Sequence, residues 1–180
     1  MAYNMKDVFY LDTTLDTGTG TGNIAAQLDL SSYVDPIARG RAKGTGLAIY
    51  KVHFDICDDD GNSPVAEAAT GQFRAGLMSL SGIPTGSFTL AANQLNAAND
   101  LMIAGVDFVA GGTAAGNPLP NTFLEPSIEV PYVVVRDTVV MIVDIITAMS
   151  AGASVKARLE CAQVTLDQAT LNQLLRTQTV

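Results

Sequence analysis

His53 is the only histidine in this 180-residue chain, and that removes much of catalytic chemistry before any fold is considered. A metal held by several imidazoles is impossible. A nucleophile activated by histidine would have to rely on this one residue. His53 stands between Lys51 and Asp55 on the polar side of an alternating segment, which is the setting of a cross-strand surface pair. No Gly-x-Ser-x-Gly elbow accompanies it. The sequence therefore nominates no catalytic residue, and the chain reads as a non-enzyme.

Oxygen ligands are the next candidates. The run Asp58-Asp59-Asp60-Gly61-Asn62-Ser63-Pro64 is a loop signal, and Asp58, Asp60 and Asn62 begin with the spacing of a calcium loop. The pattern then departs: Ser63 stands where the glycine belongs and Ala69 where the bidentate glutamate belongs. An acidic turn is the favoured reading. A structural calcium ion on Asp58, Asp60 and Asn62, completed by another subunit, is the secondary one, and no other cofactor is expected. The glycines of Gly18-Thr19-Gly20-Thr21-Gly22 lack the lysine of a phosphate-binding loop and read as a flexible arm. Cys57 and Cys161 pair only if the fold brings them together, and otherwise serve as small apolar filler. Tyr3, Tyr10, Tyr33, Tyr50 and Tyr132 could stack on sugars, but nothing in the sequence sets them in a row.

Composition narrows the partners. The net charge is −8 and the pI about 4.4. Phosphate contacts need clustered Lys and Arg, and the densest group, Arg39, Arg41 and Lys43, is too small to be a nucleic-acid arm. Direct nucleic-acid binding is not expected. Hydrophobic residues make up 48% of the chain and charged ones only 16%, at a mean hydropathy of +0.25. Average usage is nearer 25% charged, and burial between subunits suits such a surface. The N-terminus lacks a basic region followed by an apolar core, so no signal peptide is read and assembly in a cytoplasm is expected.

The elements that must position these residues are mostly strands. Val8–Leu11 is a short first strand, Asp12–Asn23 an irregular arm, and Ala25–Leu30 a second strand. In Leu47–Cys57, Ala48, Tyr50, Val52, Phe54 and Ile56 alternate with Lys51, His53 and Asp55, which marks one covered and one polar face. Thr70–Leu80 sets Phe73, Ala75 and Leu77 opposite Gln72, Arg74 and Met78. Residues 89–100 allow a short helix, and Leu101–Ala110 returns to strand.

Ile128–Met149 is apolar enough to raise the question of a membrane span. Arg136, Asp137 and Asp144 argue against it, because each charge costs roughly 2.5–3.5 kcal/mol at a helix centre in lipid. The β-branched content predicts two strands, Ile128–Val135 and Asp137–Ala148, covered on both faces and in part by something outside the chain. Ser154–Val164 is a clean amphipathic strand. Thr165-Leu166-Asp167-Gln168 matches a capping box, and Leu171, Leu174 and Leu175 share a stripe, so a helix over Leu166–Arg176 is predicted.

These elements predict an all-β fold: a single jelly-roll β-sandwich of about eight strands with a short C-terminal helix. The expected division is an N-terminal strand and arm over 1–23, the jelly roll over 24–164, and a helical tail over 165–180. In size, strand count, Gly/Thr/Ala-rich loops, low charge and absence of a catalytic signature, the chain resembles single jelly-roll capsid proteins of tailless icosahedral viruses, including membrane-containing ones. The resemblance covers most of Val8–Val164. It implies a self-assembling capsid subunit in the virion, with other copies of itself and further capsid proteins as partners. The absent basic arm implies a genome separated by a membrane or packaged by other proteins; in the first case the chain would lie beside an internal membrane, and in neither would it cross one. Both termini are expected to reach adjacent subunits. The alternative is a non-catalytic β-sandwich that binds a glycan, as in an adhesin or fibre.

Overall fold

The computed structural model describes residues 7–35, 43–80, 86–88, 94–112 and 119–178. Its strands are β1 (Phe9–Asp16), β2 (Gly22–Asp29), β3 (Lys43–Cys57), β4 (Thr70–Met78), β5 (Gly86–Phe88), β6 (Met102–Gly111), β7 (Leu119–Leu124), β8 (Tyr132–Val134), β9 (Thr138–Thr147) and β10 (Ser154–Asp167). One helix, α1 (Gln168–Thr177), follows.

The pairing is nested and antiparallel. β1 pairs with β10, β2 with β9, β3 with β8, and β4 with β6. A long hairpin rolled on itself gives this order, with the sheets β1-β10-β3-β8 and β5-β2-β9-β4-β6-β7 stacked face to face. That winding is a jelly roll. Eight strands form the roll, while β5 and β7 extend the second sheet at its two edges.

The core lies between the sheets. Val155, Ala157, Leu159 and Cys161 of β10 face it, with Phe73, Ala75 and Leu77 of β4 and Val139, Met141, Val143 and Ile145 of β9. The other face of β9 is also buried at Val140 and Ile142. Both pack with Ala25, Met78 and Met102, beneath Leu95 and Leu101 from the loop before β6. The chain's own loop therefore supplies the cover expected from outside. Asparagines shape that loop over 94–101: the Asn96 and Asn99 carboxamides accept the amides of Ala98 and Leu101, and turns replace the expected helix there.

Four other expectations are corrected. Asp12–Asp16 belongs to β1 and β2 starts at Gly22, so only a tight turn remains of the arm read over Asp12–Asn23. The turn is fastened, because the Thr17 amide donates to Ala153 O and the Thr17 hydroxyl accepts the Ala153 amide. Ile128–Val135 is mostly loop; β8 is Tyr132–Val134, and Ile128 and Val130 stand exposed between Pro126 and Pro131. In β3 a bulge at residue 50, where Glu160 pairs with Lys51 but Cys161 with Ile49, reverses the alternation. Val52 then faces the main core, while Ala48 and Tyr50 form a separate cluster with Ala162 on the opposite face.

The fourth correction concerns the tail. β10 runs through Asp167, whose carboxylate caps α1 by accepting the Thr170 amide at 2.7 Å, so Thr165 is a strand residue and not the cap. The helix docks on its own subunit. Leu171 is fully buried against Gly44, where a Cβ would come within 2.9 Å of the leucine. Gln178 then plugs the end of the sandwich: its Oε1 accepts from Ser79 Oγ and Val135 N at 3.2 Å, and its Nε2 donates to Val133 O at 2.7 Å. Among the described residues no helix is long and apolar enough to cross a membrane.

Candidate functional site

The outer face of the four-stranded sheet carries the charges. The register sets three rows across β1, β10 and β3: Tyr10–Glu160–Lys51, Asp12–Arg158–His53, and Thr14–Lys156–Asp55. His53 meets Glu160 through Nε2 at 2.8 Å, and the Arg158 guanidinium lies 4.4 Å from the centre of the Tyr10 ring. Opposite charges are register neighbours on adjacent strands, an arrangement that contributes a few tenths to one kcal/mol where a pair closes. His53 thus occupies the cross-strand surface position read from the sequence, with Nε2 on the Glu160 carboxylate.

The acidic turn is closed by its own bonds. The Asp58 carboxylate accepts the amides of Asn62 and Ser63 at 3.2 Å, and the Asn62 side chain donates to Asp60 O at 3.0 Å. Gly61 takes a left-handed conformation, with φ of 73°. The Lys156 ammonium donates to the Gly61 carbonyl, so a cation from β10 already sits at one of the turn's oxygens. Asp58, Asp60 and Asn62 thus share one turn. Among the described residues no cluster of three or more His, Cys, Asp or Glu is arranged to hold a metal ion.

The tyrosines scatter. Tyr50 is buried, Tyr33 stacks on Phe9 at 5.0 Å, and Tyr132 donates to Asp100 O at 2.9 Å. Burial pushes the Tyr132 hydroxyl up to about 12. Tyr10, 52% exposed, presents a ring at the surface. Tyr3, Arg39 and Arg41 lie outside the described residues. Cys57 and Cys161 are both buried free thiols on strands that share the core, and burial with the Glu160 charge pushes Cys161 up to about 12.

Among the described residues, Arg74 and Asp107 form an ion pair on the outer face of the second sheet. Arg74 Nε and Nη2 grip the Asp107 carboxylate at 2.6 and 2.8 Å, Nη1 donates to Leu95 O at 3.3 Å, and the guanidinium lies 4.5 Å from the centre of the Phe123 ring. The Asp107 bond, reinforced by Asp107 and Asp144 charge, drives Arg74 further toward its charged form. This group ties the loop before β6 to the sheet.

A cleft that sequence reasoning missed opens on the side of the sandwich between the two sheets. It encloses about 370 Å³ and is lined by Phe54 and Ile56 of β3, Phe108 of β6, Pro120 of β7, and Val65 from the loop after β3, with Asp55 and Glu67 at its rim. These residues come from four separate segments, so no local spacing announces the cleft.

No protein-family model matches the chain, and no curated protein matches it in sequence. Solved structures do. VP1 of trichodysplasia spinulosa-associated polyomavirus, in complex with GM1 oligosaccharide, is similar with a TM-score of 0.51 and 9% identity, over 93% of this chain and 97% of that one. VP1 of Merkel cell polyomavirus, in complex with disialyllactose, is similar with a TM-score of 0.50 and 8% identity, over 92% and 98%. At such identities the likeness is one of fold: a jelly roll shared over nearly the whole of each chain.

Proposed function

We propose that this chain is a structural subunit of a virus particle, a jelly-roll capsid protein that assembles with copies of itself into an icosahedral shell. The observation that carries the reading is the complete jelly-roll winding, similar to polyomavirus VP1 capsid proteins over nearly the full length of both chains. The charge pattern agrees with it. The described polar rows are paired within the subunit, and aliphatic side chains are left at the surface: Ile128 (64% exposed), Val130 (74%) and Ile146 (56%). The turn holding Ile128 and Val130 is closed by Ser127, whose N–H donates to Val130 O and whose hydroxyl accepts the Val130 amide. An ordered turn presenting aliphatics suits a subunit contact better than solvent.

On this reading the chain acts in the virion, and the genome is held by other components or kept behind a membrane. Negative-stain microscopy of the purified protein, alongside size-exclusion chromatography, tests it: regular rings or closed particles support assembly, and a stable monomer at high concentration opposes it.

A second reading, a glycan-binding sandwich, draws on the oligosaccharides named for the VP1 neighbours and on one feature here. Tyr10 and Arg158 place an exposed ring beside a guanidinium, which suits an acidic sugar. Saturation-transfer NMR with sialyllactose separates the two, since glycan binding abolished by Tyr10→Ala favours the second role.

A further inference from the structure

The cleft lies beside a gap in the first sheet. β8 pairs with β3 only from Leu47 to Ile49, and the bridge from Cys57 to Pro64 closes the far end. Between them, Lys51 to Ile56 has β10 on one side and no strand on the other among the described residues. At about 3.3 Å per residue this leaves roughly 20 Å of open edge. Natural sheets usually block such edges with bulges, prolines or a covering loop. Here the edge is backed by the half-buried, inward-facing Phe54 and Ile56, which floor the cleft with Val65, Phe108 and Pro120.

An open edge beside an apolar cleft is the geometry of strand addition. Main-chain bonds supply affinity, and alternate side chains of the added segment enter the pocket. Charge selects the occupant. Asp55 and Glu67 stand at the rim, and neither Lys nor Arg lines the cleft. Lys156, the cross-strand neighbour of Asp55, is turned to the Gly61 carbonyl. With a net charge of −8, another copy of this chain offers a poorer electrostatic match than a basic segment does. We propose that the edge Lys51–Ile56 receives an extended segment of a different protein, apolar at alternate residues and basic between them.

The test uses the full chain and a fluorescent hexapeptide alternating lysine and valine, read by anisotropy and by hydrogen exchange. Saturable binding is expected, with new protection at the Lys51–Ile56 amides. Affinity should fall about tenfold or more when alternate peptide nitrogens are methylated, and when Glu67, an exposed residue, is changed in Glu67→Lys. Equal binding of the methylated peptide, equal binding of a glutamate–valine peptide, protection elsewhere, or no binding at millimolar peptide each overturns the proposal. Protection of Lys51–Ile56 that rises with protein concentration alone would give the edge to a second copy and overturn it equally.

Discussion

A single side chain, Gln178, joins parts of the molecule that the winding leaves apart. It satisfies Ser79 at the end of β4, both Val133 O and Val135 N around β8, and is itself almost fully buried. Gln178→Ala strands a buried amide and a buried carbonyl, so urea unfolding should show a loss of about 2–3 kcal/mol. Cys161 gives the molecule an alkaline weakness. Its folded pKa, raised from the ordinary 9.0 to about 12, means that its stabilisation is complete below pH 9.0 and drains away as pH rises toward the folded value. Tyr132, raised from 10.0 to about 12, has the same sign and joins above pH 10. Stability should therefore fall from about pH 9 upward, and Cys161→Val, which keeps the packing and removes the titration, should delay the onset. A midpoint series in guanidinium across alkaline pH reads both effects.

Elements show where the sequence was legible and where geometry intervened. β10 and β4 were plain because each alternates with its inner residues in the main core. The second half of β1 was hidden: its outward Asp12, Thr14 and Asp16 read as loop chemistry, although Leu15 among them packs on the core as Leu11 does. The bulge at residue 50 defeated the pattern in β3, since one extra residue moves Ala48 and Tyr50 to the other face while leaving the string of apolar letters unbroken. Ile128 and Val130 failed for the opposite reason. Strand-like letters between Pro126 and Pro131 became an exposed turn. Of the candidate site, only the closeness of Asp58, Asp60 and Asn62 was visible, because one turn holds them. The open-edge cleft depends on how four segments meet.

The tail can be tested as an element. Leu171→Ala empties the pocket beside Gly44 and should cost about 2–4 kcal/mol, which limited proteolysis would register as faster cleavage after β10. The Asp167 carboxylate is held below its ordinary value by the Thr170 amide, so its capping is complete above the ordinary carboxylate range and is lost as pH falls through the depressed value. Circular dichroism of Asp167→Asn should show less acid-dependent loss of helix than the parent chain.

At the scale of the whole molecule, a low charge content is reconciled with burial in an unexpected way. β9, the most apolar strand, is covered over Val139–Val143 by the core on one face and by Leu95 and Leu101 on the other, so only its end at Ile146 offers apolar surface to a neighbour. The surface left for copies of the chain is made by side chains that the sequence placed in strands: the Ile128–Val130 turn and Ile146. Charging the turn with Ile128→Asp and Val130→Asp should leave the fold intact, because both side chains already face solvent, and should abolish any assembly they mediate. A jelly roll proposed to stand beside copies of itself must associate in solution. Sedimentation velocity of the purified chain across a wide concentration range tests it most directly. Discrete, concentration-dependent oligomers that the double aspartate variant loses are expected; one monomeric species at every concentration would overturn the proposed role.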